Sequence, residues 1–356
     1  MKLKGLKDVL KEKKIDLALF LNLSLEKRDP NISYFTQMDL EFACLAIPKK
    51  DRAFLITSYF EKERAKRYGR IKNAIAKKRG KLFEQVKERC KRVKTIGINK
   101  DMVTLNEYKT LRKNFKKARF VDISKELRSL RATKTEEEVG IIRESAKIAS
   151  SILEKAIKSI KKLKTELKVK EFLEIETKKN GCELSFPVIV ATGANASLPH
   201  YSPQDVKLKK GFCVIDFGVK YKGYCSDITR TIYLGKPSKK EAEIYNFLLA
   251  VQKDAIKNIK LGGKCSDLFY LVKKNLKGYS KYFTHGLGHG IGAEIHENPN
   301  LMPMSREKFK EGMAFTVEPG IYIDNKFGIR IEDDVLIKKK GIEVLSKVKK
   351  ELIAIK

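Results

Sequence analysis

Apolar residues recur at helical spacing near the start of the chain (Leu3, Leu6, Val9, Leu10) and then run almost unbroken through IDLALFLNL, residues 15–23. The first pattern predicts an amphipathic helix over 2–14, the second a strand buried on both faces. ACLAIP and AFLIT, separated by the polar KKDR, predict a hairpin. Residues 59–92 carry a helical pattern, followed by a short strand at 94–98, another helix and a strand around 120–122. Strands mixed with helices in this way predict a compact α/β domain.

A second segment opens with a helix start. Thr135 and Glu138 have the spacing of a capping box, in which each side chain satisfies a backbone N–H of the other residue. Val139, Ile142, Ala146, Ala149, Ile152, Leu153 and Ala156 then share one helical face. A second helix over 165–179 stops at Asn180-Gly181. Strands dominate from Phe186 onward, with helices expected near 239–257 and 266–274. The boundary falls between 125 and 133, giving an expected N-terminal domain at 1–128 and a second domain at 129–356.

Composition narrows the class. A chain of 356 residues suits about two domains, and 42% hydrophobic residues can fill ordinary cores. No apolar run approaches the ~18–20 residues of a membrane span. The charged start, MKLKGLKDVLKEKKID, does not read as a secretory signal. Six scattered cysteines without a CxxC pair argue against a disulfide framework and fit a reducing cytoplasm. The net charge of +33 is extreme, and residues 61–119 alone hold 22 basic and 6 acidic side chains. Such a face would attract polyanions, including nucleic acid. Without a zinc finger, an RNP-like aromatic motif or an isolated basic tail, a lysine-decorated solvated surface is the preferred reading.

The chemistry concentrates in the second domain. All four histidines lie there, three of them within THGLGHGIGAEIHE. The alternating glycines disfavour a zincin helix, and no βαβ unit surrounds them to make a nucleotide loop. FCVIDFGVKYKGYCSDITRTIYL reads as a hairpin with its tip at Tyr221-Lys222, which would set Asp216 opposite Asp227. MAFTVEPGIYI and FGIRIEDDVLI flank a second tip centred on Asn325, pairing Glu318 with Glu332 and Gly320 with Arg330 unless Pro319 shifts the register. Two hairpins that each oppose carboxylates suggest two halves of a duplicated scaffold.

Two carboxylates about 4 Å apart repel by roughly 4 kcal/mol at an effective dielectric of 20. Four converging acids therefore need protons or multivalent cations. Four carboxylates neutralise two divalent ions, and oxygen ligands with one imidazole suit manganese, with cobalt, iron or zinc as alternatives. Paired metals that activate a water and polarise a carbonyl make a dinuclear metallohydrolase.

At these residues the chain resembles the pita-bread metallopeptidases, in the proline-directed branch of Xaa-Pro aminopeptidase and prolidase. The strings ATGANASLPHY, VIDFGVKYKGYCSDITRT, THGLGHGIGAEIHE, FTVEPGIY and GIRIEDD carry the resemblance across residues 190–335. RATKTEEEVGIIRESAKIAS is similar to the family's entry helix, and residues 1–125 resemble its creatinase-type N-terminal domain at the level of pattern.

The resemblance implies five metal ligands: Asp216 on one ion, Asp227 and Glu332 bridging, His289 and Glu318 on the other. It makes Glu318 the proton shuttle. It also makes His200 and His296 substrate contacts, Arg330 the orienting arginine and His285 a supporting residue near the substrate. The substrates implied are proline-containing dipeptides or short peptides, and the assembly implied is a homodimer. One position departs from the family. Many prolidases carry an arginine after HExP, where it clamps the dipeptide carboxylate; here Asn300 stands at that place. Dipeptidase and aminopeptidase action both stay open, and a polyanion-binding module on the same scaffold is the alternative from another class.

Overall fold

The computed structural model describes residues 2–23, 28–72, 74–76 and 81–356. The chain divides into two compact units, Met1–Leu130 and Arg131–Lys356.

The first unit is built on a six-stranded mixed sheet. Its order is Ala74–Ala76, Phe54–Thr57, Ala43–Pro48, Leu17–Asn22, Thr95–Ile98 and Arg119–Asp122. The near-continuous apolar run becomes the central strand Leu17–Asn22, buried at every position. Leu17, Leu19 and Leu21 pack with Leu82, Val86 and Leu111. The alternate residue Phe20 meets Phe35 on the short helix Pro30–Thr36, with ring centroids 5.9 Å apart. Covering a strand on both faces is what removes its polar alternation.

The expected hairpin is present, with Ala43↔Thr57 and Ala46↔Phe54 in register. The helical expectation over 59–92 needs correcting. Helices Tyr59–Tyr68 and Leu82–Arg89 flank an edge strand, Ala74–Ala76, too short for periodicity to register. Of the basic string RAKRYGRIKNAIAKKRG, residues 73 and 77–80 lie outside the described residues.

The second unit repeats one plan twice. Helix Glu136–Leu163 starts at the anticipated capping box, with Thr135 N–H donating to Glu138 Oε2 at 2.7 Å and Glu138 N–H to Thr135 Oγ1 at 3.3 Å. Together with Glu166–Lys179 it lays Leu153, Ala156, Val169 and Leu173 on Val190, Ile215, Ile228 and Ile232 of a four-stranded sheet. Helices Lys239–Lys257 and Cys265–Asn275 lay Tyr245, Leu248 and Phe269 on Phe315, Val317, Ile329 and Val335. These belong to a five-stranded sheet and to the two-stranded ribbon Gly320–Ile323 with Phe327–Arg330. Each helix pair thus backs strands whose other faces are free to carry polar residues.

Candidate metal centre

Strand Gly211–Phe217 pairs with Ile228–Leu234 in the register Asp216↔Thr229, and Tyr221↔Tyr224 close the turn. The turn residues are therefore Lys222 and Gly223, both at positive φ (45° and 81°), as a two-residue hairpin turn of type I′ requires. This corrects the expected tip at Tyr221-Lys222 and the direct opposition of Asp216 and Asp227: each partner moves by two residues. Side chains alternate with period two, so a shift of two leaves Asp227 on the face that carries Asp216.

The second hairpin keeps its expected register. Gly320↔Arg330 and Ile321↔Ile329 pair on one side, Val317↔Asp333 and Thr316↔Asp334 on the other. Pro319 causes no slip. Glu318 and Glu332 sit between these two paired stretches. There the Glu318 N–H donates to Leu287 O at 2.9 Å and the Glu332 N–H to Thr229 O at 3.2 Å.

His289 arrives on strand Gly288–Gly290, which a side chain at either end would displace. A Cβ on Gly288 would lie 2.0 Å from Thr316 O, and one on Gly290 would lie 2.2 Å from Asn298 O. His289 Nε2 comes 3.5 Å from Asp227 Oδ2 and 3.6 Å from Glu318 Oε1. Its Nδ1 is 3.3 Å from Gly290 O, so an Nδ1–H tautomer leaves the Nε2 lone pair facing the acids.

Asp227, His289 and Glu332 each offer a ligand atom within 4.8 Å of the others. Together with Asp216 and Glu318 they line one cavity of about 660 Å³, as do His200, His285, His296, Asn300 and Arg330. His200 and His296 are solvent-exposed, and the His296 ring meets the His289 ring at 4.4 Å.

Burial pushes the Asp227 and Glu332 carboxyls far above their usual range. Neighbouring acids add to this, Glu332 and Asp216 for the first, Glu318 and Asp216 for the second. Burial also raises Glu318 and lowers His289. Among the described residues lining the cavity, one arginine answers the acids. Arg330 Nη2 donates to Asp216 Oδ2 at 2.6 Å and its Nε to Thr229 Oγ1 at 3.0 Å; the Thr229 hydroxyl donates to Glu332 Oε2 at 2.5 Å. Arg330 Nη1 donates to the Tyr322 hydroxyl at 2.7 Å, which lies 2.9 Å from His285 Nε2, while His285 Nδ1 lies 2.7 Å from Gly286 O.

Three buried oxygens of the candidate ligands stay bare. Asp216 Oδ1, Asp227 Oδ1 and Glu332 Oε1 have no hydrogen-bond partner among the described residues. Buried acceptors are normally satisfied, and carboxylate oxygens with an imidazole are the donor set of hard to borderline divalent cations. The residues fit bound metal.

Thr229, Tyr322, Thr316 and Asp334 escaped the sequence reading. Thr316 Oγ1 donates to Glu318 Oε1 at 3.2 Å, and Asp334 Oδ2 accepts the Asp227 N–H at 2.9 Å. A period of two would have found them. Thr229 follows Asp227 by two, Asp334 follows Glu332 by two, Thr316 precedes Glu318 by two and Tyr322 follows it by four.

Comparison with known proteins shows the family. Residues 140–339 match metallopeptidase family M24, and residues 2–133 match the creatinase/prolidase N-terminal domain. The Xaa-Pro dipeptidase of Pyrococcus furiosus is 37% identical over 331 residues, 91% of this chain and 92% of that protein. The structure of an Xaa-Pro dipeptidase from Bacillus anthracis superposes with a TM-score of 0.91 at 35% identity, covering 99% of both chains. That of an X-Pro aminopeptidase from Thermotoga maritima gives 0.89 at 31% identity over 96% of this chain and 98% of that one. The acid-and-histidine cavity thus sits inside a match that spans most of the unit holding it, and the chain belongs to metallopeptidase family M24, a pita-bread hydrolase unit behind a creatinase-type N-terminal domain.

Proposed function

We propose that this protein is a dinuclear metal-dependent exopeptidase that hydrolyses the bond between an N-terminal residue and a following proline. The observation that carries the reading is the clustered set of Asp216, Asp227, Glu318, Glu332 and His289, with three buried carboxylate oxygens that have no hydrogen-bond partner among the described residues. Asp216 would hold one ion and His289 with Glu318 the other, with Asp227 and Glu332 shared between them. Manganese is the first choice, with cobalt, zinc or iron as alternatives. Bound there, the metals would supply Lewis acidity and a nucleophilic water at neutral pH.

The side chains supply the rest. Glu318, whose carboxyl is raised by burial and held by Thr316, takes the proton of the attacking water and returns it to the leaving nitrogen. His200 and His296 offer imidazole nitrogens to the oxyanion that develops at the scissile carbonyl. Arg330 orients Asp216 directly and Glu332 through Thr229, and His285 braces Arg330 through Tyr322. Phe186, Pro187, Ile189 and Met302 give the cavity an apolar wall suited to a pyrrolidine ring. The names of the related proteins point to the same Xaa-Pro bond.

Six free cysteines support a reducing, cytoplasmic setting, and a homodimer is the proposed assembly, checked by light scattering. The functional test is hydrolysis of Xaa-Pro and Xaa-Pro-Yaa peptides by metal-stripped and manganese-reloaded protein. Turnover that returns with metal is expected. Failure to cleave either peptide class after reloading would overturn the reading.

A further inference from the structure

The chain carries 77 lysines and arginines, yet among the described residues that line the cavity only Arg330 is one of them. Arg330 is not available to a substrate. It is buried, and its three nitrogens are committed: Nε to Thr229, Nη1 to Tyr322 and to Pro199 O at 3.4 Å, Nη2 to Asp216. Both ring nitrogens of His285 are likewise taken, by Gly286 O and Tyr322. What remains on the wall is neutral or negative. Asn300 lines the cavity as an uncharged amide, and its backbone N–H donates to Glu307 Oε2 at 2.6 Å. The Asn298 amide bonds the same carboxylate. An acid therefore stands directly behind Asn300, with neutral donors and no ion pair among the described residues.

The shortage of free cationic side chains restricts what can follow the proline. In a free dipeptide the carboxylate sits on the same residue as the scissile nitrogen, so it must enter the cavity with the reacting bond. With the proposed metals engaged at the scissile bond, an anion moved from water against this wall meets no free cationic side chain and binds poorly. In a longer peptide that carboxylate is replaced by a neutral amide, and the chain end moves out by about 3.5 Å per residue. Met302, which lines the cavity and is 48% exposed, marks a wall along which such a chain can leave.

Resting on the proposed Xaa-Pro hydrolysis, we infer that the site selects peptides that continue beyond the proline and discriminates against free dipeptides. The neutral residue at Asn300, backed by Glu307, sets this preference.

The test compares Ala-Pro, Ala-Pro-amide and Ala-Pro-Ala on metal-reloaded enzyme at pH 8, where histidine is a poor fixed cation. The amide and the tripeptide should exceed the dipeptide at least about tenfold in kcat/KM, mainly through KM. Equal or better cleavage of the dipeptide would overturn the inference while leaving Xaa-Pro hydrolysis intact. Loss of all three activities would instead overturn the hydrolytic reading, and this inference with it. A calorimetric titration gives a readout free of turnover: L-prolinamide should bind at least about tenfold more tightly than L-proline, and the reverse order would contradict the inference. Asn300→Arg should raise dipeptide kcat/KM about tenfold. An unchanged dipeptide value in a folded, metal-loaded variant would remove Asn300 from the role.

Discussion

Arg330 Nη2 lies 2.6 Å from Asp216 Oδ2, while the other oxygen of the same carboxylate is buried and bare. One oxygen is thus fixed by a guanidinium and the other left for a metal. Replacing Arg330 by lysine keeps a charge but loses the simultaneous grip on Asp216, Thr229 and Tyr322. Arg330→Lys should weaken metal affinity or turnover by roughly 10–100-fold. Metal titration and kcat measured together check this, and wild-type values for both would contradict it.

The proposed shared ligands give a sharper expectation. Asp227→Asn or Glu332→Gln should lose at least one metal equivalent and lower kcat by at least about a hundredfold. Elemental analysis of the purified variants beside their rates decides the point. Full activity in either would refute its bridging role.

Proton linkage follows from the raised carboxyls. The folded, metal-free protein holds protons on Asp227 and Glu332 that the unfolded chain, with carboxyl pKa values near 4, releases. Its stability should therefore fall as pH rises from about 4 toward the raised folded-state values. Metal takes the place of those protons, and the lowered His289 also stays neutral and able to ligate as pH rises. The gap in Tm between manganese-loaded and metal-free protein should widen from pH 5 to pH 8. A gap that stays constant or narrows would contradict the linkage.

Behind the site lies a second charge pair. Arg230 Nη2 donates to Asp333 Oδ1 at 2.7 Å, and both side chains are almost wholly buried. Arg230 also donates to the backbone carbonyls of Glu332 and Val348, and Asp333 Oδ2 accepts from Gln252 at 2.8 Å and Lys350 at 2.6 Å. Removing one partner strands a buried charge. Asp333→Ala should destabilise the protein by about 3–5 kcal/mol in chemical denaturation. A change within about 0.5 kcal/mol would show the pair to be dispensable.

The site was more legible in the sequence than parts of the scaffold. The facing positions of Glu318 and Glu332 followed from counting outward from Asn325, because strands on both sides of Pro319 keep one register. The first hairpin was misread by two residues because its turn, Lys222-Gly223, puts a lysine at positive φ and lacks the usual Asn-Gly or Asp-Gly signal. The error was harmless to the site because it left the face unchanged. Strand Ala74–Ala76 and helix Pro30–Thr36 left too few residues for a period to emerge. The cation-poor wall around Asn300 could not be read at all, since it depends on which of 77 basic side chains the fold keeps away from the cavity.

The most direct measurement is a crystal structure of the manganese-loaded protein with anomalous scattering recorded from the metal. Two peaks about 3.5–4 Å apart, both within bonding distance of Asp227 and Glu332, with Asp216 on one side and His289 and Glu318 on the other, are the predicted result. A single peak, or ions bound away from these five residues, would contradict the account.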